Sequence, residues 1–390
     1  MWLYLIIFAV PMLMFIFSTK VINRNIAALA FVLLPLSLFV GFSDMFGGYD
    51  RYIYAEVFDG IANVTTEGGS YVGSESFLYF GGEFGYTLLN IIISFYTANR
   101  YIFILSITLI IYLLLFIDLK RYTDNYPFAL VLFLGLWFFF TFTYLRQVLG
   151  VTVAWLGIRY VIERKPIKFF LVCFIAYSLH NSAIIFLPLY FIPVRKYSAR
   201  TIVLIMALAL IFGLSPLPNA LFQTYADNSV VERHSEYNAT NGFRIEYLLE
   251  AGFFLSIILF NYHKLPNTRK HTVLLNMALI FCAILLFFIR SENGGRIGWY
   301  YIIGLISTLT TICVNKRTNA AMPLMMIVVS LLLYLKVYTG WNVYLNLYPY
   351  KTFFTNGYRE GDYSWENYEY NHDYDYDKFC REPLRWTPNI

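Results

Sequence analysis

The chain has 390 residues, of which 59% are hydrophobic, 20% aromatic and only 14% charged. A soluble domain carries about a quarter charged residues, so this composition excludes a soluble globular protein and predicts an all-α, polytopic membrane fold. The net charge of +5 does not point to nucleic acid. The basic residues fall in short loops between apolar runs, where they set topology.

The first apolar run, Trp2 to Phe17, opens without a basic n-region or a small-residue cleavage site and reads as a first transmembrane helix. A loop with Lys20 and Arg24 follows, then a second span from Ile26 to Phe42. Ser43 to Gly85 is polar and acidic, with Asp44, Asp50, Glu56, Asp59, Glu67, Glu75 and Glu83 against Arg51. Basic loops stay on the cytoplasmic side, which places this segment outside. Tyr86 to Tyr96 is apolar but too short to span and predicts an interfacial or re-entrant helix. Tyr101 to Ile117 spans and leads to Lys120 and Arg121 inside. Phe128 to Leu145 goes out, and Val148 to Ile162 returns to Arg164, Lys165 and Lys168. That puts Arg146 on the outer side, in a junction (Tyr144-Leu145-Arg146-Gln147) without turn residues.

Phe169 to Ile192 has the length of one span, yet basic residues flank it on both sides. Two short or tilted spans, bending at His180-Asn181-Ser182, satisfy both basic loops. Thr201 to Leu217 goes out to a second external loop near 218–244. Ile245 to Phe260 returns, Thr272 to Ile289 goes out, and Arg290 to Arg296 makes a short external turn. Ile297 to Val314 returns to Lys316-Arg317, and Pro323 to Tyr338 is the last span. The expected organisation is a membrane domain over 1–340 with about twelve spans and both termini outside. An acidic, tyrosine-rich external tail over 341–390 follows.

Three of the four cysteines, Cys173, Cys282 and Cys313, lie in apolar runs, and Cys380 stands alone in the tail, so neither a disulfide framework nor a metal site is expected. Phosphate-binding loop, dinucleotide fingerprint, HExxH and nucleophile-elbow motifs are absent, and no cofactor is expected.

The external side gathers Asp50 and Arg51, Glu83, Arg146 and Gln147, His180, Arg290, Glu292 and Arg296. Acidic residues such as Glu67, Glu75, Glu232 and Glu236 are ordinary for a wet loop. Arginines are not, because positive charge is disfavoured outside. Guanidinium forks bind phosphate bidentately and stay charged at any working pH, so the set predicts a lipid phosphate or pyrophosphate. Nearby aromatics (Tyr49, Tyr52, Tyr54, Trp299 and Tyr300) suit sugar faces or an interfacial belt. His180 and Asp50 are the two candidate proton acceptors. Their ordinary alternatives are a helix-end histidine bonded to a backbone carbonyl and an aspartate capping the turn at Gly47-Gly48.

The order of several short pieces resembles the EpsG-like family of Wzy-type exopolysaccharide polymerases. These are Gly48-Tyr49-Asp50-Arg51-Tyr52; Glu83-Phe84-Gly85-Tyr86-Thr87-Leu88-Leu89-Asn90; Leu145-Arg146-Gln147; Ala176-Tyr177-Ser178-Leu179-His180-Asn181-Ser182-Ala183; Arg296 with Tyr300; and Tyr348-Pro349-Tyr350. Tyr49 departs from the pattern, standing where many members carry a small residue. The resemblance implies a fold similar to membrane glycosyltransferases that use lipid-linked donors. It further implies polymerisation of undecaprenyl-pyrophosphate-linked repeat units at the periplasmic face of the bacterial inner membrane, alongside the flippase and chain-length regulator of the same pathway. Arg146 and Arg296 would then hold the leaving pyrophosphate, and His180 or Asp50 would take the acceptor proton. Glu83 would orient a sugar or an arginine, with Gln147, Tyr300, Arg290 and Arg51 as further substrate contacts. A flippase would be expected to show two similar halves and charges within its spans, neither of which is visible here. A ligase acting on the same donors shares this chemistry.

Overall fold

The computed structural model describes residues 1–17, 22–48, 50–80, 82–218, 243–291, 294–314, 321–342, 347–348, 350–355, 381 and 384. Lys20, Tyr49, Glu232, Glu236, Glu292, Lys316 and Arg317, with most of the 218–244 loop and the tail, lie outside the described residues. The described residues form sixteen α-helices, the architecture of a polytopic helical membrane protein.

In chain order the helices are α1 (Trp2–Ile16), α2 (Ile26–Gly41), α3 (Arg51–Glu67), α4 (Glu75–Tyr79), α5 (Phe84–Ser94), α6 (Arg100–Tyr122), α7 (Tyr126–Leu136) and α8 (Phe140–Thr143). They continue as α9 (Leu145–Trp155), α10 (Ile158–Ile162), α11 (Pro166–Leu179), α12 (Ala199–Leu214), α13 (Ile245–Phe260), α14 (Arg269–Phe287), α15 (Gly294–Val314) and α16 (Ala321–Asn342). Among the described residues five stretches are long and apolar enough to cross a membrane: α6, the α9–α10 run, α14, α15 and α16. Seven shorter apolar helical segments accompany them.

The core forms around α7, which is apolar on every side and buried along its length, as an all-round hydrophobic helix must be. α15 is almost as central, packing along α14 and against α7 and α9. On the periphery, α11 turns Ile167, Leu171, Phe174 and Ile175 outward, an apolar stripe at helical spacing that suits lipid.

Three local structures refine the sequence expectations. The acidic segment after α2 is not a plain loop. It folds α3, whose buried Tyr54, Ala55, Phe58, Ile61 and Ala62 recur at helical spacing, and Gly68 ends that helix in the left-handed conformation that glycine adopts at no cost. The run expected as one span from Phe128 to Leu145 stops at Leu136. It passes through the one-turn α8 and kinks at Tyr144 before α9 begins. Phe169 to Ile192 is indeed two arms. α11 folds back at His180 into a 3-10 helix, Asn181–Tyr190, and rings of Phe169 and Phe170 meet Tyr190 across the hairpin. The arms are about 21 and 20 Å long, the length of short spans.

Candidate active site

Four helix N-termini meet at one end of the bundle. Asp50 precedes α3, Glu83 precedes α5, Arg146 lies in the first turn of α9 and Arg296 in the first turn of α15. The bend at His180 closes the group. Helix N-termini carry positive dipole ends and unsatisfied N–H groups, so their convergence favours an anion. Asn25, Asn99 and Asn125 cap α2, α6 and α7 with their side chains, whereas the first turns of α3, α5 and α9 receive no side-chain cap.

Contacts between distant parts of the chain hold these ends together. Gly48 lies so close to the backbone of Phe142 that a Cβ there would sit 2.6 Å from its carbonyl oxygen. This close approach lets the Asp50 backbone N–H donate to Thr143 Oγ1 at 2.7 Å. Glu83 is buried and joins two elements: Oε2 lies 2.6 Å from Arg146 Nη1, and Oε1 accepts the Asn181 backbone N–H at 2.9 Å. The Arg146 guanidinium also covers the Phe80 ring at 4.8 Å and the Tyr54 ring at 5.9 Å. Arg296 donates from Nε to Gln147 Oε1 at 3.0 Å and stacks over Tyr144 at 4.2 Å. Gln147 returns its amide to the Arg296 carbonyl at 3.1 Å.

A second strand of the network runs through Ser182. Its hydroxyl lies 2.7 Å from His180 Nδ1, 3.0 Å from Tyr300 Oη and 3.4 Å from Gln147 Nε2. Its backbone N–H donates to His180 Nδ1 at 3.2 Å. His180 therefore does not use its ring to satisfy a carbonyl at a helix end.

The groups left over define the chemistry. Arg146 is balanced by Glu83, but Arg296 has no carboxylate within ion-pairing distance among the described residues. Asp50 does not cap α3, and its carboxylate makes no hydrogen bond to a described residue. Burial raises the Asp50 carboxyl above the ordinary range, while Arg296 and then Arg146 pull it back. Burial raises Glu83 as well, against the pull of Arg146 and the Asn181 N–H. For His180, burial, Arg146 and Arg296 all act downward, favouring the neutral imidazole. An arginine without a carboxylate partner, a carboxylate without a hydrogen bond and an imidazole thus lie within electrostatic reach of one another among the described residues.

Sequence reasoning therefore identified residues that do come together: Asp50, Glu83, Arg146, Gln147, His180, Arg296 and Tyr300. Two others stand apart. Arg51 is fully buried and donates to the backbone carbonyls of Gly41 at 3.0 Å and Ser43 at 2.8 Å. It staples the end of α2 and contacts no pocket group. Arg290 is exposed on the turn after α14 and forms no ion pair or hydrogen bond with the cluster. Ser182, Thr143 and Tyr144 were missed as site residues. Only the Ser two places after His180 gave a signal, since Ser at that spacing readily bonds a preceding side chain.

At the opposite end, about 27 Å away along the eighteen residues of α9–α10, lie the loops expected to be cytoplasmic. Asp124 there pairs with Arg24 at 2.7 Å, Lys270 at 3.6 Å and His271 at 3.2 Å. Loops assigned to one side by charge alone thus meet at one end, and the arginine–histidine groups assigned to the other side meet at the other.

No curated protein and no solved structure matches the chain. The sequence model of the EpsG family matches residues 26–352, from α2 to the segment after α16, and the chain belongs to that family.

Proposed function

We propose that the protein is a membrane glycosyltransferase that polymerises oligosaccharide repeat units carried on undecaprenyl pyrophosphate, at the periplasmic face of the bacterial inner membrane. Membership of the EpsG family supports the polymerase role. The observation that carries the mechanism is a carboxylate without a hydrogen bond to a described residue, Asp50, under the electrostatic influence of an arginine without a carboxylate partner among the described residues, Arg296. The grouping of the basic loops at the far end supports the sidedness, with both chain termini outside.

In this reading Asp50 accepts the proton of the acceptor sugar hydroxyl. That oxygen attacks the anomeric carbon of the donor, and the bond from that carbon to the pyrophosphate oxygen breaks. The electron pair leaves on the pyrophosphate. Arg296, Arg146 and the α9 and α15 N-termini stabilise the charge that develops there. The products are a glycan extended by one linkage and free undecaprenyl pyrophosphate. Glu83 holds Arg146 at the position the pyrophosphate needs. Tyr54, Phe80 and Tyr144 offer aromatic faces beside the two arginines. The flippase and chain-length regulator of the pathway are the expected functional partners.

The test is a gel of lipid-linked glycans from cells with and without the gene. The polymerase reading predicts loss of the ladder, with single repeat units accumulating on the periplasmic side. Repeat units trapped on the cytoplasmic side would instead identify a flippase. An unchanged ladder with unligated polymer would identify a ligase.

A further inference from the structure

Resting on the polymerase reading of the pocket, we propose that His180 is a fixed hydrogen-bond donor to the substrate through Nε2–H, held in that tautomer by Ser182, and that it does not act as the base.

The argument is an accounting of hydrogens. The Ser182 backbone N–H points at His180 Nδ1 from 3.2 Å. A backbone N–H can only donate, so Nδ1 must present its lone pair. The neutral ring then carries its one proton on Nε2. The Ser182 hydroxyl is compatible with the assignment. Gln147 Nε2 can only donate to it, and with Nδ1 accepting, Tyr300 Oη takes the donor role at 3.0 Å and the serine proton goes to Nδ1 at 2.7 Å. The order is Tyr300 Oη–H to Ser182 Oγ–H to His180 Nδ1, and it ends in an N–H on the opposite side of the ring. That Nε2 makes no hydrogen bond to a described residue.

Protonating the ring would turn Nδ1–H against the Ser182 N–H. It would also add a third cation beside Arg146 of α9 and Arg296 of α15. Of the other groups packed around the bend, Glu83 before α5 already holds Arg146 and the Asn181 N–H, and Tyr300 is engaged with Ser182. Among the described residues no carboxylate contacts the ring to support an imidazolium. Nε2–H instead suits an oxygen that gains negative charge, such as the pyrophosphate oxygen released on glycosyl transfer. It stabilises that oxygen without moving a proton, and proton acceptance falls to Asp50. Ser182 becomes a positioning residue for His180.

The direct test is the nitrogen-15 spectrum of histidine-labelled protein in lipid nanodiscs, with His180→Gln identifying the His180 signals. The proposal predicts a neutral ring protonated at Nε2 from pH 8 down to about pH 5.5, below the usual histidine midpoint. An imidazolium, or a ring protonated at Nδ1, overturns it. This spectrum does not depend on which reaction the pocket performs, so it separates failure of the donor assignment from failure of the polymerase reading. In a turnover assay, His180→Gln restores an N–H near Nε2 and keeps activity within about tenfold of wild type, whereas His180→Ala falls by about 100-fold. Both variants keep the acid limb of the pH profile. A His180→Gln variant that folds, is as inactive as His180→Ala and loses that limb makes His180 the base.

Discussion

The two ends of the bundle are both polar junctions where distant segments meet, yet they are built to different ends. At the Asp124 end, Asp124 gathers Arg24, Lys270 and His271, and opposite charges neutralise one another in partial contact with water. The hydrogen bond from His271 is the largest influence holding the Asp124 carboxyl down, at about 2, with Lys270 and Arg24 adding to it. At the Arg146 end, the groups are deliberately mismatched. Among the described residues Arg296 lacks a carboxylate partner and Asp50 a hydrogen-bond donor, and four helix N-termini add positive potential. A closed set of ion pairs ties loops together. A set left open in a buried place costs stability and is retained for a ligand.

This contrast can be broken by substitution. The largest effect is expected for Asp50→Asn, which removes the base and should lower polymer formation by about 100- to 10,000-fold while leaving the protein in the membrane. Arg146→Ala and Arg296→Ala should each lower it by about 100- to 1000-fold, again without loss of folded protein. Normal polymer from the Arg146→Ala variant would remove that arginine from the mechanism. The pH profile sharpens the same point. In the proposed mechanism Asp50 works deprotonated, and burial raises its carboxyl, so activity should fall as pH drops through a midpoint above the ordinary carboxylate range, and Asp50→Asn should abolish that limb.

Smaller effects fall on stability. Arg51→Leu leaves the Gly41 and Ser43 carbonyls without their donor, at about 1–3 kcal/mol each. It should lower the Tm and membrane yield, with turnover per folded molecule unchanged. At the Asp124 end, Asp124→Asn should cost less than about 1 kcal/mol, because Arg24 is 67% exposed and the pairs are screened. A carboxyl held below its unfolded value contributes stability above about pH 4 that is lost as pH falls toward 2. The wild-type minus Asp124→Asn difference in Tm should shrink over that range.

Much of this was legible in the sequence because charge in an apolar chain is rare. The basic loops pointed to which segments share an end, and the arginines outside those loops marked the candidate site. Arg51 and Arg146 could not be told apart that way, since both follow aromatic or apolar runs outside. What separates them is whether nearby backbone carbonyls consume the guanidinium, and that depends on how α2 ends against α8. The helix α3 was hidden because its acidic residues outweighed its buried stripe. The break after Leu136 was hidden because Trp137 to Phe142 is as apolar as the span it interrupts. His180 was visible as a candidate, but its role rests on which nitrogen Ser182 occupies, a detail of one bend.

The most direct test of the central claim is the release of undecaprenyl pyrophosphate by purified protein in nanodiscs supplied with lipid-linked repeat units, measured for wild type, Arg296→Ala and Asp124→Asn at matched folded concentration. The account predicts release by the wild type, near-wild-type release by Asp124→Asn, and a loss of at least about 100-fold for Arg296→Ala without a change in Tm. Wild-type release by a folded Arg296→Ala variant would contradict it.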